Sequence, residues 1–275
     1  MAQLYEKSFI RNIGNVTDAE QERLRNTVVA IAGVGGVGGA AAMNVVRMGV
    51  GAIKIADPEE FAYSDINRQR GSTTETVGKK KVDVLSANLR AINPDMKISA
   101  YPDGLSEENT EEFMEGASIV IDGLEFFTMP VRKRIFDCAR ELGIFILSSP
   151  IFGFGTSLAV FAPNGPTFEE CFGTLPEKPD FKYLVNFGQT FFPTFPPYID
   201  MEAYLAAMKG NRPIPSFTTS CALSGAVTAA ETVFILLGKR DPVCFPHVRR
   251  YDLHDARIYI EDSRKKDPGQ LENIS

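Results

Sequence analysis

The chain has 275 residues, 44% hydrophobic and 23% charged, with a formal charge of -6. This is globular composition, so whole-chain disorder is excluded, and an acidic chain gains nothing from counterion release, so nucleic acid is disfavoured as main partner. Four scattered cysteines and two histidines exclude a disulfide scaffold and a His-rich metal site.

Residues 17–26 open with Thr17 and Glu20 at capping-box spacing and predict a short helix. TVVAIA at 27–32 reads as a buried strand that ends at glycine. Gly33, Gly35 and Gly38 then form GxGxxG, with Gly36 inside the turn, ahead of a small-residue helix over 40–48 and a second strand, IKIAD, at 53–57. A helix is predicted over 79–92, where Val82, Leu85, Leu89 and Ile92 share a face, followed by a strand at 96–101 and a helix capped by Ser106 and running through Glu115. Strands at 117–122 and 144–149 flank a helix over 130–142, and TSLAVFAP at 156–163 follows as an antiparallel strand. Alternating strands and helices imply a parallel sheet covered by helices. Residues 172–217 hold seven prolines, with Phe181, Phe187, Phe191, Phe192 and Phe195 between them, and read as a long crossover connection, with a helix near 198–209. A helix over 219–238 and two strands over 248–262 close the chain, and a charged tail occupies 263–275. The expected fold is α/β: a Rossmann-like, mostly parallel sheet with helices on both faces, extended by antiparallel strands in the C-terminal part. It forms one domain over 1–262, with a nucleotide-binding part at 27–150. No apolar run reaches the roughly 18 to 20 residues of a membrane span. MAQLYEKSFIRN at the N-terminus has no apolar signal core, so a cytoplasmic location is expected.

In a strand–turn–helix context the three glycines permit a tight turn, phosphate approach and close helix packing. The helix N-terminus presents free N–H groups to an anion. Asp57 ends the second strand, where an acid can bind ribose hydroxyls. The turn alone leaves NAD and ATP open, and a glycine turn kept for packing is the bland alternative. SDINRQR at 64–70 and GKKKV at 78–82 favour a triphosphate. Arg68 can clamp phosphates bidentately and Lys81 can act as a point charge, which suits a reacting triphosphate more than a pyrophosphate that the turn holds unaided. The alternative is a solvated basic helix start, although cations there oppose the helix dipole. Asp122 ends the third strand, followed by Gly123, Leu124 and Glu125. Carboxylates at that sheet edge can hold Mg²⁺, and the alternative is a turn cap.

RNIGNVTDAEQERLRN, VVAIAGVGGVGG, IADPEEFAYSDINRQ, VGKKKVDVLSANLRAINP and CALSGAVTAAETVFILLGK followed by HVRRYDL together resemble the ThiF/MoeB/HesA family of adenylating enzymes, over roughly residues 9 to 260. The resemblance implies an ATP- and Mg²⁺-dependent adenylyltransferase. Its carboxylate substrate would be the C-terminus of a ubiquitin-like or sulfur-carrier protein, or of a peptide. By position it assigns the ribose to Asp57, the phosphates to Arg68 and Lys81, and places Asp65 and Gln69 in the same motif. Arg11 falls where family dimers reach the partner's ATP, which implies a homodimer. Asp65 replaces the family's asparagine, and the magnesium aspartate falls nearest Glu125, with Asp122 as the alternative ligand. Cys171 resembles a remnant of a zinc pair, with Phe168 in its partner's place, so no structural zinc is expected. Cys221 is the only candidate for a thioester and reads better as a buried small residue. Three other readings stand beside this one: adenylation of a tRNA-linked carboxylate, an NAD-dependent dehydrogenase, and a non-catalytic partner subunit.

Overall fold

The computed structural model describes residues 2–266. Of the charged tail expected at 263–275, Ser263–Lys266 lie within them and the remainder lies outside.

Among the described residues nine strands, numbered β1 to β9 in chain order, form one sheet in the order β3-β2-β1-β4-β5-β7-β8-β9, with β6 paired to β7. The parallel part comprises β1 (Val28–Ala32), β2 (Ala52–Ala56), β3 (Lys97–Tyr101), β4 (Ile119–Asp122) and β5 (Phe145–Ser148). The expected change of rhythm occurs at β7 (Gly155–Phe161), which runs antiparallel to β5 and pairs with the two-residue β6 (Ile151–Phe152). The closing hairpin, β8 (His247–Asp252) and β9 (Arg257–Asp262), extends it.

Period-two alternation divides the core between the two faces of the sheet. On β1, Ala30 and Ala32 face one apolar cluster, while Val29 and Ile31 face the other. The second cluster is covered by α2 (Asp18–Arg25), α3 (Gly36–Arg47), α4 (Lys81–Ile92) and α10 (Thr218–Leu237). The first is covered by α5 (Thr110–Met114), α6 (Met129–Leu142), α7 (Phe168–Phe172) and α8 (Phe181–Phe191). Helices α1 (Ala2–Phe9) and α9 (Met201–Met208) complete the set.

Local chemistry accounts for several boundaries. Thr17 and Glu20 form the capping box of α2, with Thr17 N donating to Glu20 at 2.8 Å and Glu20 N to Thr17 Oγ1 at 3.2 Å. Thr167 and Glu170 do the same for α7. Two expectations are corrected. Helix α5 starts at Thr110, not at Ser106: Ser106 N donates to Asn109 Oδ1 at 2.8 Å, which holds residues 106–109 in a turn. The crossover region holds an unexpected helix, α8, capped by Asp180, which accepts from Tyr183 N at 2.7 Å.

The apolar-run reading is also corrected. Helix α10 is long and apolar enough to cross a membrane by length and composition, but 56% of its apolar window is buried inside the fold. It lies so close to α3 that a Cβ built on Gly225 would stand 2.5 Å from Ala40 Cβ.

Candidate functional site

At the carboxyl ends of β1 and β4 the strand order changes direction, which is where open α/β sheets bind ligands. Ala32 and Asp122 are register partners there. The segments leaving them cross at van der Waals distance. Gly33 has φ +82°, and a Cβ on it would fall 2.3 Å from Gly123 O. A Cβ on Gly38 would fall 1.9 Å from Gly33 O. Both positions therefore exclude any side chain. Gly35 differs: its Cβ would meet only the Gln69 amide, 3.5 Å away, an ordinary contact. The space before the α3 N-terminus is therefore open on this side.

That space belongs to a cleft of about 1200 Å³. Gly35, Gly36, Asp65, Arg68, Gln69 and Lys81 line its polar end, and Asp122 and Glu125 its floor. Gly33 and Gly38 shape the turn from behind. Asp57 is not in the cleft wall. It is buried, and its two oxygens accept from Val34 N at 2.8 Å and Glu59 N at 3.0 Å, tying the glycine turn to the segment after β2. Burial raises its pKa, against the backbone bonds that favour its charge.

Asp65 is the hub of the polar end. It accepts from Ala62 N at 3.0 Å, from Gln69 Nε2 at 2.8 Å and from Arg68 at 3.3 Å, and Lys81 Nζ stands 3.9 Å away. An acceptor-only carboxylate thus gathers the donors around it. Gln69 Oε1 is left buried without a protein partner. Lys81, 2% exposed, donates to Glu59 Oε2 at 2.5 Å. The neighbouring Lys80 donates to Pro58 O at 2.8 Å and Pro102 O at 3.2 Å. Two of the three lysines at the helix start are therefore tied to oxygen acceptors, while Lys79 is exposed.

The two floor carboxylates differ. Asp122 is sealed in a buried ion pair: Oδ2 accepts from Arg132 Nε at 2.8 Å and Ser148 Oγ at 3.2 Å, and Oδ1 from Leu124 N at 3.2 Å. Arg132 also donates to Leu124 O at 2.9 Å and Glu125 O at 3.1 Å, so it holds the whole 122–125 loop. Glu125 faces the cleft without such a seal. Loss of solvent and the nearby Glu59 carboxylate raise its pKa, while Lys81 and Arg68 oppose them. Of the two, Glu125 fits a divalent cation, because its oxygens remain open to one. No group of three or more His, Cys, Asp or Glu side chains able to hold a metal occurs among the described residues.

Cys221 lies at the start of α10, near enough to the α3 N-terminus that a Cβ on Gly36 would meet its sulfur at 2.8 Å. It is 2% exposed, and burial pushes its thiol up to about 11 despite Arg68 nearby. Cys171 and Phe168 are buried together in the first apolar cluster, and Cys244 borders the second. Arg11 is exposed, in a 3-10 turn outside the cleft. Glu59, Arg132 and Ser148 are site residues that the sequence reading did not single out.

A glycine turn at a sheet switch point, with two cations facing one cleft, defines a Rossmann-type protein built to hold a phosphorylated ligand. The chain belongs to the ThiF family, whose profile matches residues 9–270. It is 30% identical over 236 residues to the sulfur carrier protein adenylyltransferase of Thermus thermophilus, covering 86% of this chain and 78% of that one. It is 38% identical over 115 residues to the tRNA threonylcarbamoyladenosine dehydratase of Bacillus subtilis, covering 42% and 45%. Matches to several further curated relatives span about half of their length. Among solved structures, Escherichia coli MccB with ATP superposes with a TM-score of 0.65 at 15% identity, covering 90% of this chain and 67% of that one.

Proposed function

We propose that the chain is an ATP-dependent adenylyltransferase that activates the terminal carboxylate of a small carrier protein or peptide. The observation that carries this reading is the pair of cations, Arg68 and Lys81, facing the same cleft as the α3 N-terminus. A dinucleotide's pyrophosphate needs no such pair, whereas a reacting triphosphate accumulates charge that fixed cations stabilise.

In this reading the β- and γ-phosphates lie against Gly35, Gly36 and Arg68, and Gln69 faces the nucleoside, while Asp57 holds the glycine turn from behind and would meet the ribose only by giving up a backbone donor. Lys81 exchanges Glu59 for the α-phosphate. Glu59 can leave, because its side chain is 52% exposed. Glu125 would hold Mg²⁺, which would offset phosphate charge. A substrate carboxylate oxygen attacks the α-phosphorus, the bond to the bridging oxygen breaks, and pyrophosphate leaves with that electron pair. No proton moves. Arg11, exposed and away from its own cleft, would reach the nucleotide of a second copy in a homodimer. The chain's place would be the cytoplasm, where ATP is abundant.

Adenylation of a tRNA-linked carboxylate is the second reading, supported by the similarity to the Bacillus dehydratase. The tying of Lys80 and Lys81 to protein oxygens removes much of the basic patch it would use.

Calorimetry with Mg-ATP and with NAD tests the proposal. Mg-ATP binding without NAD binding, followed by carboxylate-dependent exchange of labelled pyrophosphate into ATP, is the expected result. NAD binding alone would overturn it.

A further inference from the structure

The cleft does not end at the nucleotide. Beyond Arg132, whose guanidinium lies 5.1 Å over the Phe187 ring, it continues into a chamber walled by aromatic rings. Phe152 stands 5.2 Å from Phe192 and 4.4 Å from Tyr204, and Phe126 stands 5.2 Å from Phe187. All of them line the same cavity as Lys81. At about 1200 Å³ this cleft exceeds the roughly 300–1000 Å³ of a pocket for one drug-sized molecule.

Gly188 shows that the chamber is kept open. It lies inside α8 and lines the cavity. Its φ is not left-handed, and a Cβ on it would meet only Phe126, at 3.5 Å. Glycine weakens a helix interior, and neither the backbone nor the packing here requires it. What a side chain at 188 would take is space in the chamber.

We propose that the activated substrate carries a bulky aromatic or branched apolar side chain beside its carboxylate, and that the Phe126–Phe152–Gly188 chamber receives it. This rests on the adenylation reading above. A tail of glycines presents no apolar surface to these rings, whereas a benzyl or isobutyl group removes its whole surface from water there. Asp122 and Arg132 mark the junction: the carboxylate stays at the charged end while the side chain enters the apolar end.

The test uses the full chain with Mg²⁺ and a non-hydrolysable ATP analogue, and two peptides with free C-termini, acetyl-Ala-Ala-Phe and acetyl-Ala-Gly-Gly. Calorimetry should give affinity for the Phe-ended peptide at least about tenfold above that for the Gly-ended one, the lower limit of what a hydrophobic pocket discriminates. In Gly188→Leu that ratio should fall towards one. Gly188→Ala, which adds only a Cβ in ordinary contact, should keep a ratio above that of Gly188→Leu, and thermal melts of both variants establish that they fold. Equal affinities in the wild type, preference for the glycine end, binding of neither peptide, or an unchanged ratio in a folded Gly188→Leu would each overturn the inference. Pyrophosphate exchange separates the two levels: exchange driven only by the Gly-ended peptide leaves adenylation standing and removes this substrate class.

Discussion

Replacing Arg132 by methionine should cost stability out of proportion to its distance from the nucleotide. Arg132 and Asp122 are each 3% exposed, and their ion pair closes at 2.8 Å. Arg132→Met leaves a buried carboxylate with only Ser148 Oγ at 3.2 Å and Leu124 N at 3.2 Å. It also strips donors from the carbonyls of Leu124 and Glu125. Breaking one side of a buried pair costs about 3–5 kcal/mol. At about 2–4 °C per kcal/mol for a chain of this size, Tm should fall by roughly 6–20 °C. The paired variant Asp122→Asn/Arg132→Met removes the stranded charge and should recover more than half of the loss. Urea unfolding of the wild type, both single variants and the double variant closes the cycle. A loss below about 1 kcal/mol in Arg132→Met, or no recovery in the double variant, would refute the view that this pair holds the cleft floor.

Lys81→Ala should lower pyrophosphate exchange by about 10²–10³-fold, as loss of one transition-state donor does. Its melting point should change little, because the stranded Glu59 is half-exposed and rehydrates. Undiminished exchange would remove Lys81 from the chemistry. For Glu125, burial and Glu59 raise the pKa. Its stabilising contribution is therefore full below the ordinary glutamate value and is lost as pH rises through the raised one. Glu125→Gln should accordingly melt higher than the wild type near pH 7, converge with it in acid, and bind Mg-ATP more weakly. A melting-point difference from the wild type that does not change with pH would contradict the raised pKa. With its thiol at about 11, Cys221 is about one part in 10⁴ thiolate at pH 7, so Cys221→Ser should retain pyrophosphate exchange and the wild type should resist iodoacetamide. Rapid alkylation of Cys221 would reopen the thioester route.

What the sequence disclosed follows from how locally each feature is encoded. The β1 turn was legible because the constraint on Gly33 and Gly38 is steric and acts over a few residues. The Thr17 cap was legible for the same reason. Helix α7 carries the same signature at Thr167 and Glu170 but follows a strand with no helical rhythm to frame it. Helix α8 was hidden because prolines on both sides dominate its composition, although Asp180 marks its start. The partners of Asp122 and Lys81 were not legible at all. Arg132 and Glu59 reach them through tertiary packing, and nothing in the spacing of either residue marks it as a partner. The same applies to the chamber, whose phenylalanines read as loop fillers until α8 and α9 set them against Phe126 and Phe152.

The close seat of α10 on α3 has a consequence for biosynthesis. Ala40 and Gly225 meet from opposite ends of the chain. When the first five strands have left the ribosome, the layer over β1 still lacks the helix that completes it. The small-residue face of α3 stays open to water until residues 218–237 emerge. Contacts so distant in sequence slow folding, because loop closure must precede them. The glycine turn that cradles phosphate thus acquires its rigid backing among the last steps of synthesis, and a chain cut before α10 would expose the apolar surface that the complete chain conceals.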